Sequence, residues 1–597
     1  MTYIDTTQEL MNVAQGAEPA DLVITGGRLF NVFTGELLDG LSVAVKHQKI
    51  AYVGKDPKNG VGDQTKIIHA NGKTLIPGFI DGHTHIAWMF TAENFLKYAM
   101  TGGTTTIVTE IFEPYPVCGN PGVLELLASL NDQPIKIFTV APAMVSISHR
   151  TRGISTNNLK ELLARDDVLG IGESYWQGVL QEPDVYLPAF KEALISGKTI
   201  EGHSAGASEK KLNAYIAAGV SSCHEPIKAN EVIDRLRLGL CVMIREGSVR
   251  KELEEIAKIK DANVDLRRCT LVSDGLSPSG IQENGYMEAI VQKAIDLGFK
   301  PKDAIRMATL NIAEHFSLDG QIGAIAPGRY ADILIVPDIS TVTPETVISN
   351  GKIIAQNGKR LVDPRPHTFS HKARTSITLP RHLVPSDFNI KPINQNTIQH
   401  VRVIEMITDL VTREKVIDLP VLNGSIHADA ENDLLKIAAI DRAIIPGDMF
   451  TGFIKGFGLK SGAFAFSATW DAADIIVIGT NDADMALAVN RIHKLQGGAV
   501  VIDQKNILEE LPLPIFGVLS DQPIEEIAAR SKRIQQVLAS AGVPHPDPLL
   551  TIATLTSAAI PFFKICEEGY VHFKDGVTLG LFTDPPGHNS MSTIYGK

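Results

Sequence analysis

The sequence predicts an α/β protein with a (β/α)8 barrel over residues 74–325. A small β-sandwich domain is split between residues 1–73 and 326–380, and a C-terminal α+β domain spans 385–597. Three observations predict this. Eight short apolar runs alternate with helical patterns across about 250 residues, the usual extent of such a barrel. Glycine-punctuated β-rich runs precede that alternation and return after it. Each apolar run, or nearly each, ends on a strongly polar residue. At 597 residues the chain is too long for one core.

Between residues 20 and 73, β-rich runs at 21–24, 28–30, 41–45 and 50–53 are separated by Gly26-Gly27, Thr34-Gly35 and Gly54. Matching runs return at 330–336, 346–348 and 352–354, so the two pieces read as one domain interrupted by an insertion. Inside the insertion the expected strands are 74–80, 104–110, 135–141, 168–173, 199–203, 221–225, 241–246 and 269–274, with helical patterns at 159–164, 209–218 and 229–238 among the gaps. In a barrel the loops after these strands share one rim, where the chemistry sits. A doubly wound open sheet is the alternative, and it would scatter the same polar ends along a wider crevice. Beyond residue 385, runs at 475–478 and 499–502 flank a helix that Asn481 is suited to cap. The Gly/Ser-rich tail after Pro585 is expected to be poorly ordered.

Composition excludes several classes. Hydrophobic residues make up 44% and charged residues 21%, with a net charge of −12 and no Lys/Arg run, which argues against nucleic acid or an anionic membrane as partner. No apolar stretch approaches the ~20 residues of a membrane span. The N-terminus lacks a basic region followed by an apolar core, so no secretory signal is read and a cytoplasmic location is expected. Five cysteines, Cys118, Cys223, Cys241, Cys269 and Cys566, form no CxxC pair, consistent with reduced thiols.

The polar strand ends carry the chemistry. They are His83 and His85, Glu173, His203, His224 and Asp274. An HxH pair alone is weak, because single histidines usually cap strands or satisfy backbone groups. Four imidazoles and two carboxylates on one rim suit two divalent cations, with one carboxylate able to bridge. Two cations sharing a hydroxide give a nucleophile at neutral pH, and a free oxygen of Asp274 can accept its proton.

These residues sit in blocks that resemble the adenine deaminase family of the amidohydrolase superfamily: ADLVITGGRLFNVFTGE, PGFIDGHTHI, GGTTTIV, GIGE, MIREGS, RMATLNIAEHF, GLKSGAFAFS and IIVIGTNDADMALAVNRI. The resemblance runs along nearly the whole chain. It implies an amidohydrolase-type barrel with a binuclear site on His83, His85, Glu173 (bridging), His203, His224 and Asp274. The implied metal is Mn(II) or Fe(II), with Zn(II) as the alternative. The implied reaction is hydrolytic deamination of a 6-aminopurine, adenine and water giving hypoxanthine and ammonia, in a homo-oligomer. Asp274 would act as base and return its proton to the leaving amine. A second acid must protonate the ring nitrogen, and Glu113, Glu225 and Glu246 are equal candidates. Arg245 could partner Glu246 or touch substrate.

Three segments depart from the family pattern. Ile-Glu-Ser-Ser after the second metal histidine is here Ile86-Ala87-Trp88-Met89. Asp-Pro-His-Glu is Glu110-Ile111-Phe112-Glu113. His-Asp-Ser-His-Asn is Trp470-Asp471-Ala472-Ala473-Asp474. The chain's three tryptophans, Trp88, Trp176 and Trp470, lie in or near such segments, and aromatic faces suit a flat heterocycle. The pocket is therefore expected to be re-cut. The alternative substrates are a substituted adenine, an adenine nucleoside or another cyclic amidine or amide. A different class, a catalytically silent purine-binding or assembly paralogue, is disfavoured by the six intact ligands.

Overall fold

The computed structural model describes residues 3–583 apart from positions 57, 144–146, 152 and 561. The tail after Pro585 lies outside the described residues. The barrel strands are β1 (Phe79–Thr84), β2 (Thr104–Glu110), β3 (Lys136–Ala141), β4 (Val168–Tyr175), β5 (Thr199–His203), β6 (Ser222–Cys223), β7 (Cys241–Arg245) and β8 (Cys269–Val272). Strands β1 to β5 pair in parallel in chain order, as do β6 to β8. Backbone hydrogen bonds join the two arcs at both seams, Ser221 N to Ile200 O (2.9 Å) and Asp274 N to His83 O (3.0 Å). Apolar side chains from six strands, Ile80, Val108, Val140, Leu169, Met243 and Val272, pack with Ile312 and Phe316 to floor the barrel.

The run 74–80 is two strands rather than the one expected. Thr74–Pro77 belongs to another sheet, pairing with Ile333–Val336 and Arg28–Asn31, and the barrel strand starts at Phe79. Pro77 ends one ladder, and Gly78 lets the chain cross: a Cβ there would lie 2.1 Å from the Thr105 hydroxyl. That seven-stranded sheet combines strands from before and after the barrel. It faces a four-stranded sheet of residues 22–69 across a core including Leu22, Val43, Leu75, Ile333 and Ile348.

Beyond residue 398 an eight-stranded sheet runs from Thr412–Pro420 at one edge to Asn506–Pro512 at the other. Helix Asp482–Leu495 packs on it through Met485, Val489 and Ile492, and the Asn481 side chain caps its first turn by accepting from Asp484 N (2.9 Å). This domain reaches the barrel mouth. Met89–Phe90, just after β1, pairs in parallel with Leu519–Ser520, and Trp88 Nε1 donates to Ala468 O at 3.3 Å.

Candidate active site

A strand presents alternate residues to one face, so the residues two beyond the barrel floor point into the mouth. Val108 leads to Glu110, Met243 to Arg245 and Val272 to Asp274. Strand β1 needs a correction to this rule, because Asp81 opposes Ile107 while Thr84 opposes Thr109, one residue too many. This bulge re-aims His83 and His85 inward. Asp81, fully buried, locks the seam beneath them: Ser273 Oγ (2.5 Å) and Tyr286 Oη (2.6 Å) donate to Oδ2, and His83 N donates to Oδ1 (3.2 Å).

The four imidazoles converge on one oxygen. Glu173 Oε1 lies 2.9 Å from His203 Nε2, 3.3 Å from His83 Nε2, 3.3 Å from His224 Nε2 and 3.4 Å from His85 Nε2. Asp274 Oδ1 completes the cluster at 3.2 Å from His83 Nε2 and 3.7 Å from His85 Nε2. His83, Glu173, His224 and Asp274 each offer a ligand atom within 4.8 Å of the others, all buried. The Nε2 atoms of His203 and His224 are buried without an aligned hydrogen bond. Nitrogen lone pairs facing one carboxylate oxygen in a dry site make a poor hydrogen-bond network and a good N/O donor set for divalent cations, so these residues fit the implied metal.

Behind the imidazoles stand carboxylates. Glu225 Oε1 is 2.9 Å from His203 Nδ1, Glu113 Oε1 is 3.4 Å from His85 Nδ1, and Glu110 Oε1 is 4.0 Å from His83 Nδ1. Such partners fix imidazole tautomer and orientation at metal sites. Burial pushes Glu225 up, but His203, His224 and Arg245 outweigh it and bring its pKa to about 2. Its Oε2 also accepts from Ala205 N at 2.6 Å, so both Glu225 oxygens are engaged at the edge of the cavity. Glu225→Gln is expected to weaken metal retention by roughly 10- to 100-fold with the fold unchanged, read by metal content after dialysis against chelator.

Three further expectations are corrected. Glu246 follows Arg245 and so points to the opposite face, where Lys293 Nζ on the outer helix Met287–Asp296 holds it at 2.7 Å. Arg245 partners Asp274 Oδ2 (3.0 Å) and Glu252 (3.0 and 3.3 Å) rather than Glu246. Trp176 lies outside the cavity, its Nε1 donating to Ala205 O (2.7 Å) and its face covered by Lys211 Nζ at 4.7 Å. Trp88, Trp470, Glu113 and Arg245 do line the cavity, a space of about 480 Å³ over the cluster. The two tryptophans meet edge to face at 5.9 Å. Burial disfavours ionised Asp274, yet Arg245 and His83 hold its pKa far below the usual carboxylate range. Asp274 sits in the left-handed region at φ 55°, which aspartate tolerates better than most residues.

Sequence reasoning missed Glu110, Tyr175 and Asp471. Tyr175 stacks on His203 at 4.6 Å, and its hydroxyl donates to Asp471 Oδ2 at 3.3 Å. The signal for Asp471 was present, since it is the one carboxylate kept between the altered Trp470 and Ala472-Ala473.

A parallel barrel whose C-terminal rim gathers an HxH pair, two more histidines and two carboxylates defines a metal-dependent hydrolase of the amidohydrolase class. Residues 74–354 match the amidohydrolase family and residues 409–576 match the adenine deaminase C-terminal domain. The adenine deaminase of Moorella thermoacetica is 37% identical over 95% of this chain and 96% of its own, and that of Dehalococcoides mccartyi strain 195 is 36% identical over 94% and 97%. A solved β-aspartyl dipeptidase from Fervidobacterium islandicum aligns with 58% of this chain and 98% of its own at 19% identity and a TM-score of 0.46. The chain belongs to the adenine deaminase family. Among the described residues no helix is long and apolar enough to cross a membrane.

Proposed function

We propose that this enzyme hydrolyses adenine to hypoxanthine and ammonia in the cytoplasm, as a homo-oligomer. We further propose that it uses two divalent cations of the Mn(II) or Fe(II) type, held by His83, His85, His203, His224, Glu173 and Asp274. The observation that carries this reading is the convergence of four imidazoles on Glu173 Oε1 in a chain whose full-length relatives are named adenine deaminase. Divalent cations bound there supply the Lewis acidity that makes water nucleophilic at neutral pH.

The side chains then divide the proton work. As the water oxygen adds to C6, Asp274 takes its proton, the Arg245 fork holding the carboxylate in place. Attack makes N1 basic, and Glu113 supplies its proton. Support for Glu113 is that Oε1 faces His85 while Oε2 is buried with no partner in a residue that lines the cavity. Asp274 passes its proton to the departing amine as the C6–N bond breaks. The C6 hydroxyl proton returns to Glu113 as the carbonyl forms, restoring both groups. The test is ammonia release from adenine by protein purified metal-free and reloaded with Mn(II). No release at full metal loading would sink the reading.

A second reading, a 6-substituted adenine, is favoured by one observation: Trp88 and Trp470 stand in the cavity where the family pattern has polar residues. Trp88→Leu and Trp470→Leu are then expected to change the kcat/KM ratio of 6-substituted to unsubstituted adenine by about tenfold, the scale of one reshaped apolar contact. Ratios equal to wild type in a panel of 6-substituted purines would remove it.

A further inference from the structure

The C-terminal domain delivers one charged group to the barrel mouth, and the deamination steps do not use it. Asp471 is buried, 3% exposed, and lines the same cavity as Glu173, Asp274 and Trp88. Its backbone sits at φ 61°, and the loop is pinned by Trp470 N donating to Ala553 O (3.1 Å) and by Thr556 Oγ1 donating to Trp470 O. The carboxylate is used unevenly. Oδ2 accepts from Ser557 Oγ (2.9 Å), Ala558 N (2.8 Å) and Tyr175 Oη (3.3 Å), whereas Oδ1 has no donor among the described residues. Three donors on one oxygen favour the ionised form. Burial pushes its pKa up to about 6, the Ala558 amide countering. Oδ1 thus opens to the cavity as an acceptor that the protein leaves to a ligand's N–H.

Chemistry narrows which donor. Free adenine has two kinds of N–H: the 6-amino group, which must sit at the metal ligands, and the single N–H of its five-membered ring at the far end of the base. Tyr175 spans a comparable interval, its ring against the metal ligand His203 and its hydroxyl on Asp471. Glu173, Asp274 and Asp471 line one cavity, so a base with C6 at the cluster can turn its imidazole N–H toward Oδ1. We propose that Asp471 is a specificity-determining residue, accepting the five-membered-ring N–H of a free 6-aminopurine and so selecting nucleobases over N9-substituted nucleosides. This rests on the deaminase reading for the orientation of the base.

The test compares adenine with 9-methyladenine, which keeps the 6-amino group and lacks the ring N–H. Binding is followed by quenching of tryptophan fluorescence, since Trp88 and Trp470 line the cavity, and turnover by ammonia release. Wild-type holoenzyme is expected to bind adenine roughly 10- to 100-fold tighter than 9-methyladenine, the scale of a hydrogen bond to a charged group. Asp471→Asn keeps the shape. Its amide oxygen stays with the three donors and turns an NH2 toward the ligand, so the preference should vanish or invert, with the adenine KM rising and kcat changing less than the KM does. Asp471→Ala should lose the preference as well. Wild type that binds both bases equally, or an Asp471→Asn protein with normal metal content and wild-type discrimination, overturns the proposal. Wild type that discriminates by binding yet releases no ammonia overturns the deaminase reading, and loss of that binding discrimination in Asp471→Asn then still assigns the ring N–H to Asp471 independently of turnover.

Discussion

Asp274→Asn is expected to lower kcat for adenine by about 10²- to 10⁴-fold, the usual worth of a positioned general base, while KM changes little. Asparagine is the informative substitution for two reasons. It tolerates the left-handed backbone that Asp274 adopts at φ 55°, so the loop after β8 has no reason to rearrange. It also keeps an oxygen to face His83 Nε2, 3.2 Å away in the native site, while removing the ability to hold a proton. The Arg245 guanidinium, 3.0 Å from Oδ2, then faces a neutral amide or loses its hydrogen bond. Some loss of fixed geometry is therefore part of the effect. Steady-state kinetics alongside metal analysis separates the contributions. A kcat within tenfold of wild type at full metal content would transfer the proton to another group and remove Asp274 from that role.

The cluster at the barrel mouth was legible because barrel strands end abruptly. An apolar run that must floor a barrel and then a polar residue that must not is a one-dimensional pattern, and His203, His224, Glu173 and Asp274 are each marked by it. The geometry of β1 was not legible. The bulge that turns His83 and His85 inward depends on the register against β2, which a single chain does not display. Partner choice among charged groups was partly legible. Glu246 could have been excluded by alternation alone, since Met243 and Arg245 share the inward face. That Arg245 would take Asp274 and Glu252, though, depends on residues brought together by three different segments. Asp471 was marked only by the altered run around it, and that a loop some 200 residues beyond the last barrel strand returns to the mouth was not legible. The contacts that bring it there, Met89–Phe90 on Leu519–Ser520 and Trp88 on Ala468, are between domains and leave no periodic trace.

Glu173→Gln should be more damaging to metal retention than any carboxylate exchange around it. In the native site one oxygen faces four imidazole nitrogens within 3.4 Å, and no other described group does so. Burial opposes its charge, but His203 and His85 dominate and hold its pKa well below the usual carboxylate range. A neutral amide offers an oxygen of lower charge and adds an NH2 that repels whatever cation the imidazoles hold. The expected loss is on the order of 10³-fold in metal affinity, the scale of removing one partner from a buried charge cluster, with activity falling in parallel. Glu225→Gln, one shell out behind His203, should cost roughly 10- to 100-fold by the same assay. The ordering is the sharper part of the prediction. If Glu225→Gln stripped metal more readily than Glu173→Gln, the anion at the centre of the imidazoles would be structural rather than a ligand, and the site would have to be rebuilt around the outer carboxylates.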